Sequence, residues 1–183
     1  SLLLANGPAI PSLVRRIAQA NQTSADLLLS IHHDSVPQVF KSVWEFEGKQ
    51  LEYSDRFRGH SIFISADNPN YQASLEFGKL LGARMKARGL QYTPHYTQAF
   101  MGNKRRQLVD AESGVYRFDQ LIILRNAKMA SVLLEAGSII NRDEELAMAS
   151  DERRLEIAAA VTEAVDRYCA LRAGSRTQRA SAH

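Results

Sequence analysis

A single cysteine, Cys169, excludes an intrachain disulfide. The fold must therefore be held by its core. Cys169 falls in an apolar helical pattern and reads as a small buried side chain. Long apolar runs are missing as well. No stretch reaches the ~18 residues that a membrane-crossing helix needs, so no membrane insertion is expected. Charge of one sign is scarcely in excess: the net value is +3, and much of it sits at the C-terminal end. No lysine–arginine run is interleaved with aromatics, which argues against nucleic acid as a partner. A mildly basic surface suits an anionic polymer instead. A secretory signal is not evident either, because Ser1–Ala5 is short and carries no charged n-region. A processed secreted chain would read the same way.

What remains is an ordinary globular composition, 45% hydrophobic and 23% charged over 183 residues. That length suits one domain with a sizeable core. No internal repeat or linker divides it. Residues 1–173 read as one domain, and 174–183 as a polar, basic, disordered tail.

The pattern along the chain alternates strands and helices. Ser1–Ala5 reads as the end of a strand and Asn6-Gly7-Pro8 as a turn. Pro11-Ser12 opens an amphipathic helix with Leu13, Ile17 and Ala20 on its apolar side. Ala25–Ile31, with four apolar residues in the five from Leu27, reads as a buried strand. Residues 43–53 alternate around Gly48, as a hairpin would. Trp44, Phe46, Tyr53 and Phe57 can either cover the core edge or line a substrate groove. Ser61–Ser65 is the next strand, and Tyr71–Arg88 a helix capped by Asn70 and ended by Gly89. Residues 91–119 hold no clear period and include Lys104-Arg105-Arg106. That triplet reads as a solvated face or as a contact for an anionic substrate, and the segment is expected to cover the site in part. Gln120–Leu124 reads as a short strand and Ser131–Glu135 as the last strand. Asn141 with Glu144 forms a capping box. The final helix, from about Asp151 to Leu171, is expected to face Leu155, Ala158, Val161, Val165 and Tyr168 inward.

Chemistry gathers where two strands end. Ile31 is followed by His32, His33 and Asp34, and Leu134 is followed by Glu135. In open α/β sheets the crevice beyond the carboxyl ends of strands is where ligands bind. An imidazole and a carboxylate there would serve a metal site or acid–base catalysis. They would equally serve as ordinary strand-end and capping residues.

The wording of these stretches narrows the choice. Ser30-Ile31-His32-His33-Asp34 resembles the Ser-Ile-His-x-Asp signature of zinc-dependent N-acetylmuramoyl-L-alanine amidases of the amidase-3 type, which are cell-wall hydrolases. Val132-Leu133-Leu134-Glu135-Ala136-Gly137 through Asn141 resembles that family's Val-Leu-Val-Glu-x-Gly-Phe-x-x-Asn, with Ser138 in place of the phenylalanine. Arg15–Asn21 and Leu121–Ala127 fit as well, and the likeness covers nearly all of 1–172.

The resemblance implies an α/β fold, a twisted, mostly parallel sheet with helices on both faces. It implies zinc as cofactor, His32 as a metal ligand and Glu135 as the general base acting on metal-bound water. Asp34 or a backbone carbonyl would orient His32 through its second nitrogen. The implied reaction is hydrolysis of the amide between N-acetylmuramic acid and L-alanine. The implied partner is peptidoglycan, with room for a protein activator, in the periplasm or otherwise at the cell wall. The family's other two ligands come from a Gly-His-Gly motif and a glutamate on the first helix, and this sequence contains neither. The expectation is that an N-terminal part of the domain is missing, since His32 and Glu135 keep their context. His33, Asp34, His60 and His95 are the substitutes available if it is not. The competing reading is a metal-free amidase-like domain that binds peptidoglycan or regulates a partner hydrolase.

Overall fold

Residues 12–180 are described here in a computed structural model. The expected strand at Ser1–Ala5 and the turn after it lie outside the described residues. In chain order the elements are α1 (Leu13–Gln22), β1 (Leu27–Asp34), β2 (Ser42–Phe46), β3 (Lys49–Tyr53), β4 (Ser61–Ile64), α2 (Tyr71–Ala87), β5 (Gln107–Asp110), β6 (Val115–Arg117), α3 (Ile122–Asn126), β7 (Ala130–Ser138), α4 (Arg142–Ala149) and α5 (Asp151–Ala180). Among the described residues no helix is long and apolar enough to cross a membrane.

Among the described residues five strands form one sheet in the order β1-β7-β4-β6-β5. β1 runs parallel to β7 and β4 parallel to β6, while β4–β7 and β5–β6 are antiparallel. β7 is the spine. Eight of its nine residues are buried, and Glu135 is the exception. Near-continuous burial of this kind requires cover on both faces. Val132 and Leu134, with Ile62, Ile64 and Val115, pack against Phe77, Leu81 and Met85 of α2 and Ala160, Ala164 and Tyr168 of α5. The alternate residues Leu133, Phe63 and Tyr116 face Ile17 of α1 and Ile123 and Leu124 of α3. Each fully buried aliphatic side chain contributes about 1.5–3 kcal/mol. The fold is thus the expected α/β sheet with helices on both faces.

The hairpin also forms as expected. Among the described residues β2 and β3 pair only with each other, through a turn in which Glu47 and Gly48 both take positive φ (49° and 72°). That two-residue geometry matches the twist of the flanking strands.

Several local expectations are corrected. Residues 91–119 hold two strands, β5 and β6, of four and three residues. Strands that short leave no readable alternation, yet Val115 and Tyr116 of β6 are fully buried in the sheet. Gln120–Leu124 is not a strand: α3 starts at Ile122. A short apolar run fits either state, and tertiary contacts decide it. The buried Asn68 amide donates to the carbonyls of Leu124, Ala127 and Met129 at 2.6, 3.1 and 3.3 Å, holding the end of the helix. Asn70 stands at the α2 N-cap, but its side chain donates to Lys128 O instead of capping. In α5 the inward stripe is Ile157, Ala160, Val161, Ala164, Val165 and Tyr168. Leu155, Ala158 and Cys169 are exposed, because they fall off that 3–4 residue spacing. The helix also runs past Gly174 to Ala180, where a disordered tail was expected. One glycine in a helix costs only about 1 kcal/mol, and the residues around it are mostly good helix formers.

Candidate functional site

Register brings the two signature stretches together. His32 of β1 is the direct partner of Glu135 of β7, and Ser61 of β4 pairs with Glu135 on its other side. Adjacent strands lie about 4.8 Å apart, and registered partners project to the same face. That face is the one carrying Leu28, Leu133 and Phe63, the side of α1 and α3. Immediately beyond, the register slips: the next pair is Asp34 with Ser138, so two residues of β1 oppose three of β7. A bulge at this point re-aims the side chains around it.

The electrostatics differ from residue to residue. Glu135 is half-buried, and its Oε2 has no hydrogen-bond partner among the described residues. Burial, and secondarily the Asp34 carboxyl, pushes its pKa up to about 7. His32 opens to solvent at the strand end. The covered part of its ring, then Arg16 and His33, lower its pKa, which keeps the imidazole neutral at pH 7. Asp34 is 8% exposed, with Oδ1 accepting from Ser35 N at 2.8 Å and Oδ2 from the Tyr96 hydroxyl at 2.7 Å. Burial still raises its pKa against those two bonds. Tyr96 is pushed up by burial, by Asp34 and by Glu135. Two carboxyl groups with raised pKa values beside a neutral imidazole make a site short of positive charge. A cation entering it would return both carboxyls to their ionised form.

Asp34 therefore directs its oxygens to Tyr96 and Ser35 instead of orienting His32. The other alternative ligands lie apart. His33 is exposed and next along the strand, so its side chain alternates away from Glu135. His95 is buried, hydrogen-bonded through Nδ1 to Thr93 Oγ1 and edge-on to Phe57. His60 is buried and lines a cavity with Ala136, which belongs to the α2–α5 side. Among the described residues no three His, Cys, Asp or Glu side chains gather where they could hold a metal ion. His32 fits one metal ligand, and Glu135 fits a base beside it. A full coordination shell needs further donors.

Tyr96 is the site residue that sequence reasoning missed. Its bond to Asp34 spans 62 residues, and no local pattern marks it. It does come from the 91–119 segment expected to reach the site. The basic triplet in that segment splits up: Arg105 Nε donates to Thr97 O, Arg106 lies 3.8 Å over the Phe118 ring and Lys104 is exposed. The aromatics divide too. Phe57 is buried with Phe40 and Phe100 and covers the core edge. Trp44 stacks on Phe46 in the hairpin, with Arg142 4.9 Å over its ring. Glu144, at the expected capping position, donates its N–H to Asn141 Oδ1 at 3.0 Å. Its carboxylate does not complete the box. It accepts instead from Ser138 N and Gly59 N at 2.9 and 2.8 Å, tying the end of β7 to the start of β4.

Comparison with known proteins gives one family. The amidase-3 family model, N-acetylmuramoyl-L-alanine amidase, matches residues 3–167. No curated protein matches the chain. Among solved structures, the chain is similar to the N-acetylmuramyl-L-alanine amidase Ami1 from Mycobacterium smegmatis, with TM-score 0.67 and 21% identity over 90% of this chain and 64% of that one. It is similar to apo Ami1 from Mycobacterium abscessus, with TM-score 0.62 and 22% identity over 85% and 60%. It is also similar to the CwlD amidase from Clostridioides difficile, solved in complex with the GerS lipoprotein, with TM-score 0.57 and 18% identity over 87% and 62%. At such identities these likenesses show the fold. The chain spans less than two thirds of the length of each of these three.

Proposed function

The chain belongs to the N-acetylmuramoyl-L-alanine amidase family, and from that premise we propose that it is a peptidoglycan hydrolase cleaving the amide between N-acetylmuramic acid and L-alanine. The observation that carries this reading is Glu135: a half-buried carboxyl with an unpartnered oxygen and a pKa near 7, in register with His32. That pKa belongs to the metal-free site; a bound cation would lower it and leave Glu135 ionised, ready to take a proton.

We propose zinc as the cofactor, with His32 as one ligand and the remaining ligands supplied from outside the described residues. The neutral His32 ring and the shortage of positive charge beside Glu135 and Asp34 support this. Bound there, zinc would supply an acidic water and a Lewis acid for the scissile carbonyl. The chain's own residues do the rest. Glu135 takes the proton of the attacking water on its free oxygen and passes it to the leaving amine of the stem peptide. Tyr96 holds Asp34 by its Oδ2, fixing a second carboxyl whose charge keeps Glu135 basic. Action at the cell wall, in the periplasm or otherwise outside the membrane, follows from the substrate. A relative solved with a lipoprotein supports a protein partner as part of the proposal.

Metal analysis of purified protein in which this chain is joined to a segment carrying the further donors, paired with dye release from labelled sacculi, tests the reading. The expectation is bound zinc, lost with chelator or in His32→Ala, and dye release that depends on it. Zinc-free protein that pulls down sacculi without cutting them would contradict it and support the binding-domain alternative.

A further inference from the structure

The segment from Tyr96 to Arg106 closes on itself. The Arg106 N–H donates to Tyr96 O at 2.8 Å, and Arg105 Nε donates to Thr97 O at 3.1 Å. Arg106 is thereby tied to the residue whose hydroxyl holds Asp34 at 2.7 Å, and the Asp34 carboxyl acts in turn on Glu135. The side chain follows the backbone. The Arg106 charge falls on the Tyr96 hydroxyl and opposes the rise in its pKa. The guanidinium carbon lies 3.8 Å from the centre of the Phe118 ring. Phe118 meets Phe63 edge-on at 5.6 Å, and Phe63 belongs to the face of the sheet that carries His32 and Glu135.

Among the described residues Arg106 pairs with no carboxylate. Its Nη1 donates to Arg105 O at 2.9 Å, and its Nε is enclosed without a partner. Nη2 is left over: it makes no hydrogen bond, and unlike Nε it is not closed off. The side chain as a whole is half-exposed, and burial already works against its charge. A partly desolvated guanidinium with no counter-ion is costly, and an anion arriving at Nη2 would relieve it. An aromatic ring beneath a guanidinium holds its orientation, and a carboxylate is the anion that its geometry matches.

The proposed substrate carries such an anion. Cutting at the L-alanine amide brings the next residue of the stem close to Glu135. In stem peptides that residue is D-glutamate linked through its side chain, with an α-carboxylate that is either free or amidated. We propose that Arg106 sets specificity by clasping the free α-carboxylate of the residue after L-alanine, so that stems with D-glutamate are preferred over stems with D-isoglutamine. The inference rests on the hydrolytic reading and names the stem chemistry that reading takes. Arg106 binds substrate here and moves no proton.

The test uses the protein that joins this chain to the further metal donors, with Glu135→Gln to prevent turnover. N-acetylmuramoyl-L-alanyl-D-glutamate and its D-isoglutamine counterpart are added in turn. The Arg106 Nε–H is followed by NMR and assigned through Arg106→Gln. A saturable shift at Arg106 with the acid, and binding of the amide weaker by about tenfold, supports the proposal, since that is the scale of one charge-assisted contact. Arg106→Gln should bind the two fragments alike, an outcome that a merely structural role would not produce. Equal affinity for acid and amide would overturn the proposal. So would no saturable shift with either, or a preference that survives Arg106→Gln. Hydrolysis by the same protein with Glu135 restored separates the two claims. Fragments that bind with this preference and stay uncut would contradict the hydrolytic reading and leave the clasp standing. Fragments cut at equal kcat/KM, with or without Arg106, would remove the clasp and leave hydrolysis.

Discussion

At the scale of single residues, the proposed function rests on one carboxyl kept incompletely satisfied. Glu135 sits on an otherwise buried strand with an orphaned oxygen and a pKa near 7. Replacing it with glutamine keeps the shape and removes the base, so dye release from sacculi should fall by about 10²–10⁴, with the circular dichroism spectrum unchanged. Tyr96 acts one step away. Tyr96→Phe leaves Asp34 Oδ2 without its donor in a buried setting and should lower stability by about 1–3 kcal/mol, read by urea unfolding. That His32 and Glu135 lie side by side was legible because each stands inside a worded signature at a strand end. Tyr96 was not, because its partner is remote in sequence and its own segment has no period. The role expected of Asp34 failed for a related reason: a carboxylate two residues from His32 is near it along the chain, yet the bulge and the Tyr96 hydroxyl turn it elsewhere.

At the scale of elements, close approaches decide what periodicity leaves open. Helix α2 crosses the β5–β6 connection so closely that a Cβ at Gly82 would meet Ser113 O at 2.0 Å. Gly82→Ala should therefore destabilise the protein by about 1–3 kcal/mol, despite the better helix propensity of alanine. Thermal unfolding checks it, and a gain in stability would show that the helix can shift. Long amphipathic elements such as α1 and α2 were readable because burial on one face repeats every three to four residues. The short ones, β5, β6 and α3, were not. Three to five residues carry too little pattern, and α3 is settled by the Asn68 amide some sixty residues away in sequence. Because β6 is part of the sheet, deleting 91–119 would remove core, so it cannot test whether this segment gates the site.

At the scale of the whole molecule, buried histidines tie stability to pH. His60 is held near pKa 4 by burial, against 6.5 when exposed, and His95 is lowered to about 4 by burial and Arg56. The folded state therefore binds fewer protons than the unfolded chain between these values. Stability from this source is complete above about pH 6.5 and is lost as pH falls toward 4, by up to about 3 kcal/mol for His60. Glu135, raised to about 7, works in the opposite sense, favouring the fold as pH falls through the same range. Urea midpoints at pH 5 and pH 7 should show a drop at pH 5 that shrinks in His60→Gln; an unchanged drop would assign it to other groups. The overall architecture was legible from alternating strand and helix patterns, whereas the mixture of parallel and antiparallel pairings was not, since direction depends on how connections cross the sheet.

The central claim is the bond that is cut and the residue that cuts it. The direct measurement is mass spectrometry of the fragments released when sacculi are digested by zinc-loaded protein that joins this chain to the further donors, and by its Glu135→Gln variant. The account predicts stem peptides with a new free amino terminus on L-alanine, leaving intact N-acetylmuramic acid behind, from the first and not from the second. A new D-amino-acid terminus, or the same fragments from Glu135→Gln, would contradict it.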